Sequence, residues 1–309
     1  MNYVYGPVPS RRLGRSIGID PLPPKTCNYQ CIYCQLGKTT QFTNTRANFF
    51  PIEDIIADME ILIRKNQNNF DYVTFVGSGE PTLYKDIGVL IQKAREITDK
   101  QVCVITNGSL LYIDEVADVL MKTNVIMPSL DAGNEKDFIK INRPHPGIKY
   151  ESMLQGLIDF KKKFSGLFWL EVMLIKGIND SREKLIEIKR KIDLIQPDRV
   201  DINVPIRPPT EDWVEIPSNV VYERIKEIFE DYSNINFPEK GIFRHSHGDF
   251  EEELLRIITR HPMREEQIIK TFSNSNLTKE IILQKLAELE SKKIILKKTY
   301  NKQIFWRKK

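Results

Sequence analysis

Three of the four cysteines in the chain, Cys27, Cys31 and Cys34, fall within eight positions of one another in the stretch CNYQCIYC. A Cys-x3-Cys-x2-Cys spacing puts three thiolates on one short loop, where they can converge on a single metal centre. Three ligands leave a four-coordinate site incomplete, so something else must fill the last position. A structural zinc site would want a nearby histidine, and His145, His245, His247 and His261 all stand far along the chain. Polar Thr26, Asn28, Tyr29 and Gln30 flank the first two cysteines, which argues against three thiols that merely fill a core. The fourth, Cys103, lies inside the apolar run VCVIT and reads as a core residue.

The elements that must position these residues follow a regular pattern. At 309 residues, 41% apolar and 28% charged, the chain has the composition of a globular protein rather than a disordered one. Nowhere do 18 apolar residues stand together, and no apolar run backs the positive charges near the N-terminus. We therefore expect neither a membrane span nor a secretion signal, and a cytoplasmic protein, in which crowded cysteines serve metals more often than disulfides. Six β-branched runs read as strands near residues 15–20, 72–76, 102–106, 124–130, 167–174 and 199–204, with amphipathic helical segments between and after them. Asp180 and Glu183 are placed as a capping box for the fifth helix. Polar and glycine-rich loops (DPLPPKTCNYQC, GSGEPT, NGSLL, DAGN, IKGIND, PIRPPTEDW) follow nearly every strand. Chemistry gathered on one rim points to a partial (β/α)6 TIM-type barrel rather than an open doubly wound sheet.

Beyond residue 245 the pattern changes. FEEELLRIITR, REEQIIKTF and TKEIILQKLAELES read as three short helices, and KKIILKKTYNKQIFWRKK as two strands turning near residues 300–302. This layout is that of a small winged helix-turn-helix domain, giving a division into 1–245 and 246–309. The net charge of +4 conceals an asymmetry, since residues 251–309 alone carry 14 Lys and Arg against 8 Asp and Glu. From residue 292 to 309 there are eight basic residues and no acidic one, interleaved with Tyr300, Phe305 and Trp306. Such a hairpin could track a phosphate backbone and stack on bases, dock a protein, or be a solvated tail. The presumed recognition helix carries Glu280, Glu288 and Glu290, a poor surface for the DNA major groove.

The CNYQCIYC loop, with Tyr33 just before the last cysteine and six βα units behind it, resembles the radical S-adenosylmethionine (SAM) superfamily over roughly residues 1–240. The resemblance implies a [4Fe-4S] cluster on Cys27, Cys31 and Cys34 whose remaining iron binds SAM, making the cosubstrate the missing ligand. It implies reductive cleavage of SAM to a 5′-deoxyadenosyl radical that abstracts hydrogen from a substrate, with an electron donor such as ferredoxin or flavodoxin. GSGEP looks like the family segment that takes the SAM ammonium group; Ser78 interrupts its glycines, so the match is carried on Gly79 and Glu80. By the same resemblance Tyr33, Asn107, Ser129 and Asp131 are placed around SAM. Glu171 either joins them or is satisfied on its own strand.

The segments YGPVPSRRLGRSIGID and VPIRPPTEDW are similar to a smaller group of archaeal and bacterial radical SAM proteins related to wyosine-type tRNA synthetases. That similarity implies RNA, most readily tRNA, as substrate, although the chain lacks cysteines for a second cluster. Arg11, Arg12 and Arg207 are candidate contacts to an anionic substrate, or members of ion pairs. His145, His245 and His247 are structural or acid–base groups near the rim. Two other functions stand beside RNA modification: an activase that installs a radical on a partner protein, and a redox-sensing regulator whose cluster controls a DNA-binding winged helix.

Overall fold

The computed structural model describes residues 3–10, 12–229, 233–235, 249–273 and 277–309. Arg11, His245, His247 and the expected domain boundary near residue 246 lie outside the described residues. The chain opens with β1 (Val4–Ser10) and β2 (Gly14–Ile19), then two short bridging strands, β3 (Thr26–Cys27) and β4 (Gln41–Phe42), and α1 (Ile52–Lys65). It continues through β5 (Tyr72–Phe75), α2 (Ile87–Ile97), β6 (Gln101–Thr106), α3 (Asp114–Leu120), β7 (Val125–Pro128), α4 (Glu135–Asn142) and α5 (Tyr150–Lys163). Then come β8 (Leu167–Met173), α6 (Arg182–Ile195), β9 (Arg199–Asn203), α7 (Asn219–Ile228) and β10 (Ser233–Ile235).

The strands lie in the order β1-β2-β5-β6-β7-β8-β9-β10, all parallel except the antiparallel β1–β2 pair. Sequence-adjacent parallel strands with helical crossovers make a TIM-type partial barrel, open because β1 and β10 are its two edges. The six expected strands are there, within a residue or two of their expected ends. Their apolar runs are buried on both faces, as in β7, where all four residues are inaccessible. The helices cover the outside with one apolar stripe each: Ile55, Met59 and Ile63 in α1, and Leu185, Ile188, Ile192 and Ile195 in α6.

Several features differ from the sequence reading, among them the short strands β3, β4 and β10, which were not expected. β1 was not expected, because Pro7, Pro9 and Gly6 oppose a strand; a sheet edge tolerates prolines that cannot donate, and the pairing slips between Tyr5 and Val8. α4 is too short for its periodicity to stand out, and Asn134 caps it by accepting from the Asp137 amide. The cap of α6 is Ser181, which accepts from the Lys184 amide, whereas Asp180 accepts from Gly177 N–H in the preceding turn.

The last part of the chain holds α8 (Phe250–Ile258), β11 (Met263–Arg264), α9 (Glu265–Phe272), α10 (Lys279–Ser291), β12 (Ile295–Tyr300) and β13 (Gln303–Lys308). The strands form an antiparallel sheet ordered β11-β13-β12, one strand more than the sequence suggested. Asn301 and Lys302, both at positive φ (48° and 60°), make the hairpin turn where it was expected. Leu254, Ile268, Ile282, Leu286, Ile295 and Trp306 form a separate apolar core, against which Val8 of β1 also packs.

Candidate active site

The cysteine loop is held in place by contacts with its neighbours in the fold. Thr26 and Cys27 pair with Gln41 and Phe42, and Thr26 Oγ1 donates to Gln41 Oε1 at 2.7 Å, closing the loop at its base. Ile32 and Tyr29 are driven into the barrel core, with Tyr29 edge-on to Phe138 of α4. The amides of Gln30 and Ile32 donate to the carbonyls of Asn142 and Ile141. The loop thus satisfies the last carbonyls of α4, which have no partners within the helix.

Several N–H groups point at the sulfurs. Tyr29 N lies 3.4 Å from Cys27 Sγ, Asn107 Nδ2 3.8 Å from the same sulfur, and Asn142 Nδ2 3.5 Å from Cys31 Sγ. Donors of this kind stabilise negative charge on ligating thiolates. Without a metal, burial pushes the Cys27 thiol up to about 12 and raises Cys31 and Cys34 as well, with Glu80 adding to the first and Asp131 to the second. Among the described residues no three His, Cys, Asp or Glu side chains surround one ion position. A cluster differs from a single ion in taking each thiolate on a separate iron.

All three cysteines line a cavity of about 350 Å³, which also receives Tyr33, Gly79, Glu80, Asn107, Ser129, Asp131, Glu171, Arg12 and Arg207. The strand ends deliver these groups: Gly79 and Glu80 follow β5, Asn107 follows β6, Ser129 and Asp131 follow β7, and Glu171 lies near the end of β8. These residues therefore share the C-terminal rim, whereas Arg12 reaches the cavity from the turn between β1 and β2, at the opposite ends of the strands.

Glu80 is 2% exposed. Its Oε1 accepts from Thr82 N, Thr82 Oγ1 and Thr106 Oγ1, and its Oε2 from Asn107 N at 2.7 Å. Burial raises its pKa against these bonds, which lower it. Gly79 is required here because a Cβ would overlap the carbonyl oxygen of Thr26, the acceptor of the Glu80 amide. Asp131 accepts from Tyr33 Oη (2.6 Å) and Asn142 Nδ2 (2.7 Å) on one oxygen and from Met173 N (2.8 Å) on the other. Burial raises its pKa too. Tyr33, Asp131, Asn142 and Cys31 thus form one connected chain of contacts.

Arg12 forms an ion pair with Glu171, which also accepts from Asn203 Nδ2 at 2.9 Å. Arg207 donates to Gln35 Oε1 at 2.9 Å, next to Cys34. Both arginines face the cavity while held by protein partners, so the two readings offered for them are compatible. His145 is not among the cavity residues; its Nδ1 accepts from the Gly147 amide in its own turn. The sequence reading missed Asn142, which closes an unexpected helix, and His261, which lines the cavity from the C-terminal part of the chain. No local signal marks His261. Phe305 and Trp306 are 2% and 3% exposed, so they belong to the core and the expectation that they stack on bases is corrected.

Known proteins resemble this chain in sequence and in fold. The model of the radical SAM superfamily matches residues 22–188. A UPF0026 protein of Methanocaldococcus jannaschii is 34% identical over 314 residues, covering 100% of this chain and 96% of its own. A Brachyspira hyodysenteriae protein named GTPase Obg is 39% identical over 92% of this chain, which spans only 42% of that protein's length. A probable dual-specificity RNA methyltransferase RlmN of Endomicrobium trichonymphae is 25% identical over 66% of this chain and 59% of its own. Among solved structures, TYW1 with a lysine-pyruvate adduct bound superposes with a TM-score of 0.50 at 21% identity, covering 74% of this chain and 78% of that one. The chain belongs to the radical SAM superfamily, enzymes that use a [4Fe-4S] cluster and S-adenosylmethionine.

Proposed function

We propose that Cys27, Cys31 and Cys34 hold a single [4Fe-4S] cluster, that SAM lies beside it in the cavity, and that the substrate is RNA, with tRNA first. The observation that carries this reading is the meeting of three cysteines, Glu80, Asn107 and Asp131 on one cavity at the C-terminal ends of parallel strands. When bound and reduced, the cluster supplies the electron that cleaves SAM to a 5′-deoxyadenosyl radical, which takes hydrogen from the substrate. The residues fit that load: backbone and amide N–H groups face the sulfurs, and among the described residues no group of protein side chains encloses a single-ion site.

Glu80 Oε1 already accepts three hydrogen bonds, whereas Oε2 accepts one and keeps capacity for the SAM ammonium group. Ser129 offers a hydroxyl for the ribose. Asp131 has both oxygens engaged, and its part is to fix Tyr33 and, through Asn142, the cysteine loop. Arg207 presents positive charge to a substrate entering the rim, while Arg12 lines the cavity with its charge shared with Glu171. A reductant of the ferredoxin or flavodoxin class delivers the electron.

The C-terminal three helices and three-stranded sheet are read as a winged-helix module, residues 246–309. What supports RNA is the run of eight basic residues from 292 to 309 and the similarity to an RNA methyltransferase. With Phe305 and Trp306 buried and Tyr300 half-buried, charge rather than stacking by those two buried rings is the main contribution of this hairpin.

The test is anaerobic reconstitution followed by dithionite and SAM, with 5′-deoxyadenosine measured in wild type and Cys31→Ala, with and without bulk tRNA. Product in wild type alone, stimulated by tRNA, is expected. An intact cluster that yields no 5′-deoxyadenosine under any condition would refute the radical reading. RNA retention should fall steeply with salt, and less RNA should bind when Lys297, Lys302 and Arg307 are replaced by Glu.

A further inference from the structure

The loop that joins α8 to β11 reaches into the barrel mouth. Arg260 Nε donates at 2.8 Å to Asp20 Oδ2, across 240 residues of sequence. Asp20 directly follows β2, is 2% exposed, and on the same oxygen accepts from Ser78 N (3.2 Å) and Ser78 Oγ (2.8 Å). Its Oδ1 is buried without a hydrogen-bond partner, and a Cβ on Gly77 would overlap its carboxyl group. The carboxylate is therefore packed directly against the 77–80 turn. A buried carboxylate needs a cation or a full set of donors. Among the described residues the barrel supplies the amide and hydroxyl of Ser78; the cation comes from the C-terminal unit.

Arg260 is held in turn from the barrel side. Its guanidinium lies 4.8 Å from the ring centroid of Tyr5, and its carbonyl accepts from Gln35 Nε2 at 3.4 Å. The next residue, His261, lines the cavity with its ring 6.0 Å from that of Tyr5. The turn that Asp20 grips is also tied to the cysteine loop, through Lys25 N to Ser78 O and Glu80 N to Thr26 O. One connected set of contacts thus runs from the C-terminal unit to the groups assigned to the cluster and to SAM.

We propose that Arg260 is a positioning residue for the cosubstrate: through Asp20 it fixes the turn bearing Gly79 and Glu80, which makes the C-terminal unit an integral part of the active site. This rests on the assignment of the cavity to SAM given above. Removing the guanidinium leaves a buried negative charge beside the turn, which can relax only by shifting Ser78 and the residues after it. Removing both charges relieves that strain.

The experiment uses the full chain with its cluster reconstituted, and measures SAM affinity by calorimetry, the EPR line shape of the reduced cluster with SAM, and the melting temperature. Absence of SAM binding in wild type would overturn the cavity assignment itself, separately from the role of Arg260. With wild type binding, Arg260→Met should weaken SAM roughly tenfold or more and alter the line shape at unchanged iron content. The double variant Asp20→Asn/Arg260→Met should recover to within about threefold of wild type, because no buried charge is left unpaired. A lower melting temperature with SAM affinity unchanged would make Arg260 a structural tie only and overturn the proposal, as would a double variant no better than the single. If Arg260→Met does not fold, Arg260→Lys takes its place. It keeps the charge and loses the Nε–H geometry, so about threefold weaker SAM binding supports the proposal and unchanged binding overturns it.

Discussion

The side chains around the cavity divide into those already saturated by protein partners and those with capacity left over. Glu80 Oε2 is of the second kind, so Glu80→Gln should weaken SAM about ten- to a hundredfold, read by calorimetry, because a charge-assisted contact is lost and an amide faces existing donors. Asn142 is of the first kind, shared between Cys31 Sγ and Asp131. Asn142→Leu removes a donor that stabilises negative charge at the sulfur more in the reduced cluster than in the oxidised one. A more negative midpoint potential in an EPR-monitored titration is the expected result. Cys103 shows the opposite use of a thiol: it is fully buried beside Leu13, Val125 and Met127, and burial pushes its pKa up to about 12. A raised thiol pKa favours the neutral form, so reactive thiolate is scarce at pH 8. Maleimide at that pH should label Cys103 only after unfolding, which peptide mapping would show.

At the scale of elements, the cysteine loop depends on α4, the one helix of the barrel that the sequence did not announce. Ile32 is fully buried, and its amide donates to Ile141 O at 3.0 Å. Truncating it opens a void under the loop and should cost about 2–5 kcal/mol. Ile32→Ala is therefore expected to lower the unfolding midpoint in denaturant and to reduce iron content after reconstitution, while a variant of a distant exposed apolar residue such as Leu194→Ala, 57% exposed, should change neither. Equal iron content in both variants would show that the anchoring of the loop does not limit assembly.

Across the whole molecule, specific contacts among the described residues join the main barrel core to the C-terminal core. Val8 of the edge strand packs into the C-terminal core, Arg260 reaches Asp20, and Lys298 pairs with Asp212 at 2.5 Å. Val8→Asp puts a charge at the only one of these joints that is apolar. Faster hydrogen exchange across residues 249–309, with the central strands β5 to β8 unchanged, is the expected response; slower or unchanged exchange there would mean that the C-terminal core stands without the edge strand.

The parallel strands, most of the barrel helices and the cysteine loop were legible in the sequence because each is set by local periodicity or close spacing. β-branched runs, 3.6-residue stripes and a seven-residue Cys-to-Cys interval need no knowledge of distant neighbours. Glu80, Asn107, Ser129 and Asp131 were placed by the family resemblance in segments that come after readable strands, and parallel strands bring the segments after their C-terminal ends to one rim. The edge strand and α4 were missed because prolines and short length hide them locally, and pairing or packing against distant residues stabilises them. Trp306 and Phe305 look like surface aromatics among lysines until the fold turns them inward. The meeting of Asp20 with Arg260, and of His261 with the cysteines, has no local signature at all. It arises only when the last core of the chain docks on the mouth of the first, and that docking was decided by tertiary structure alone.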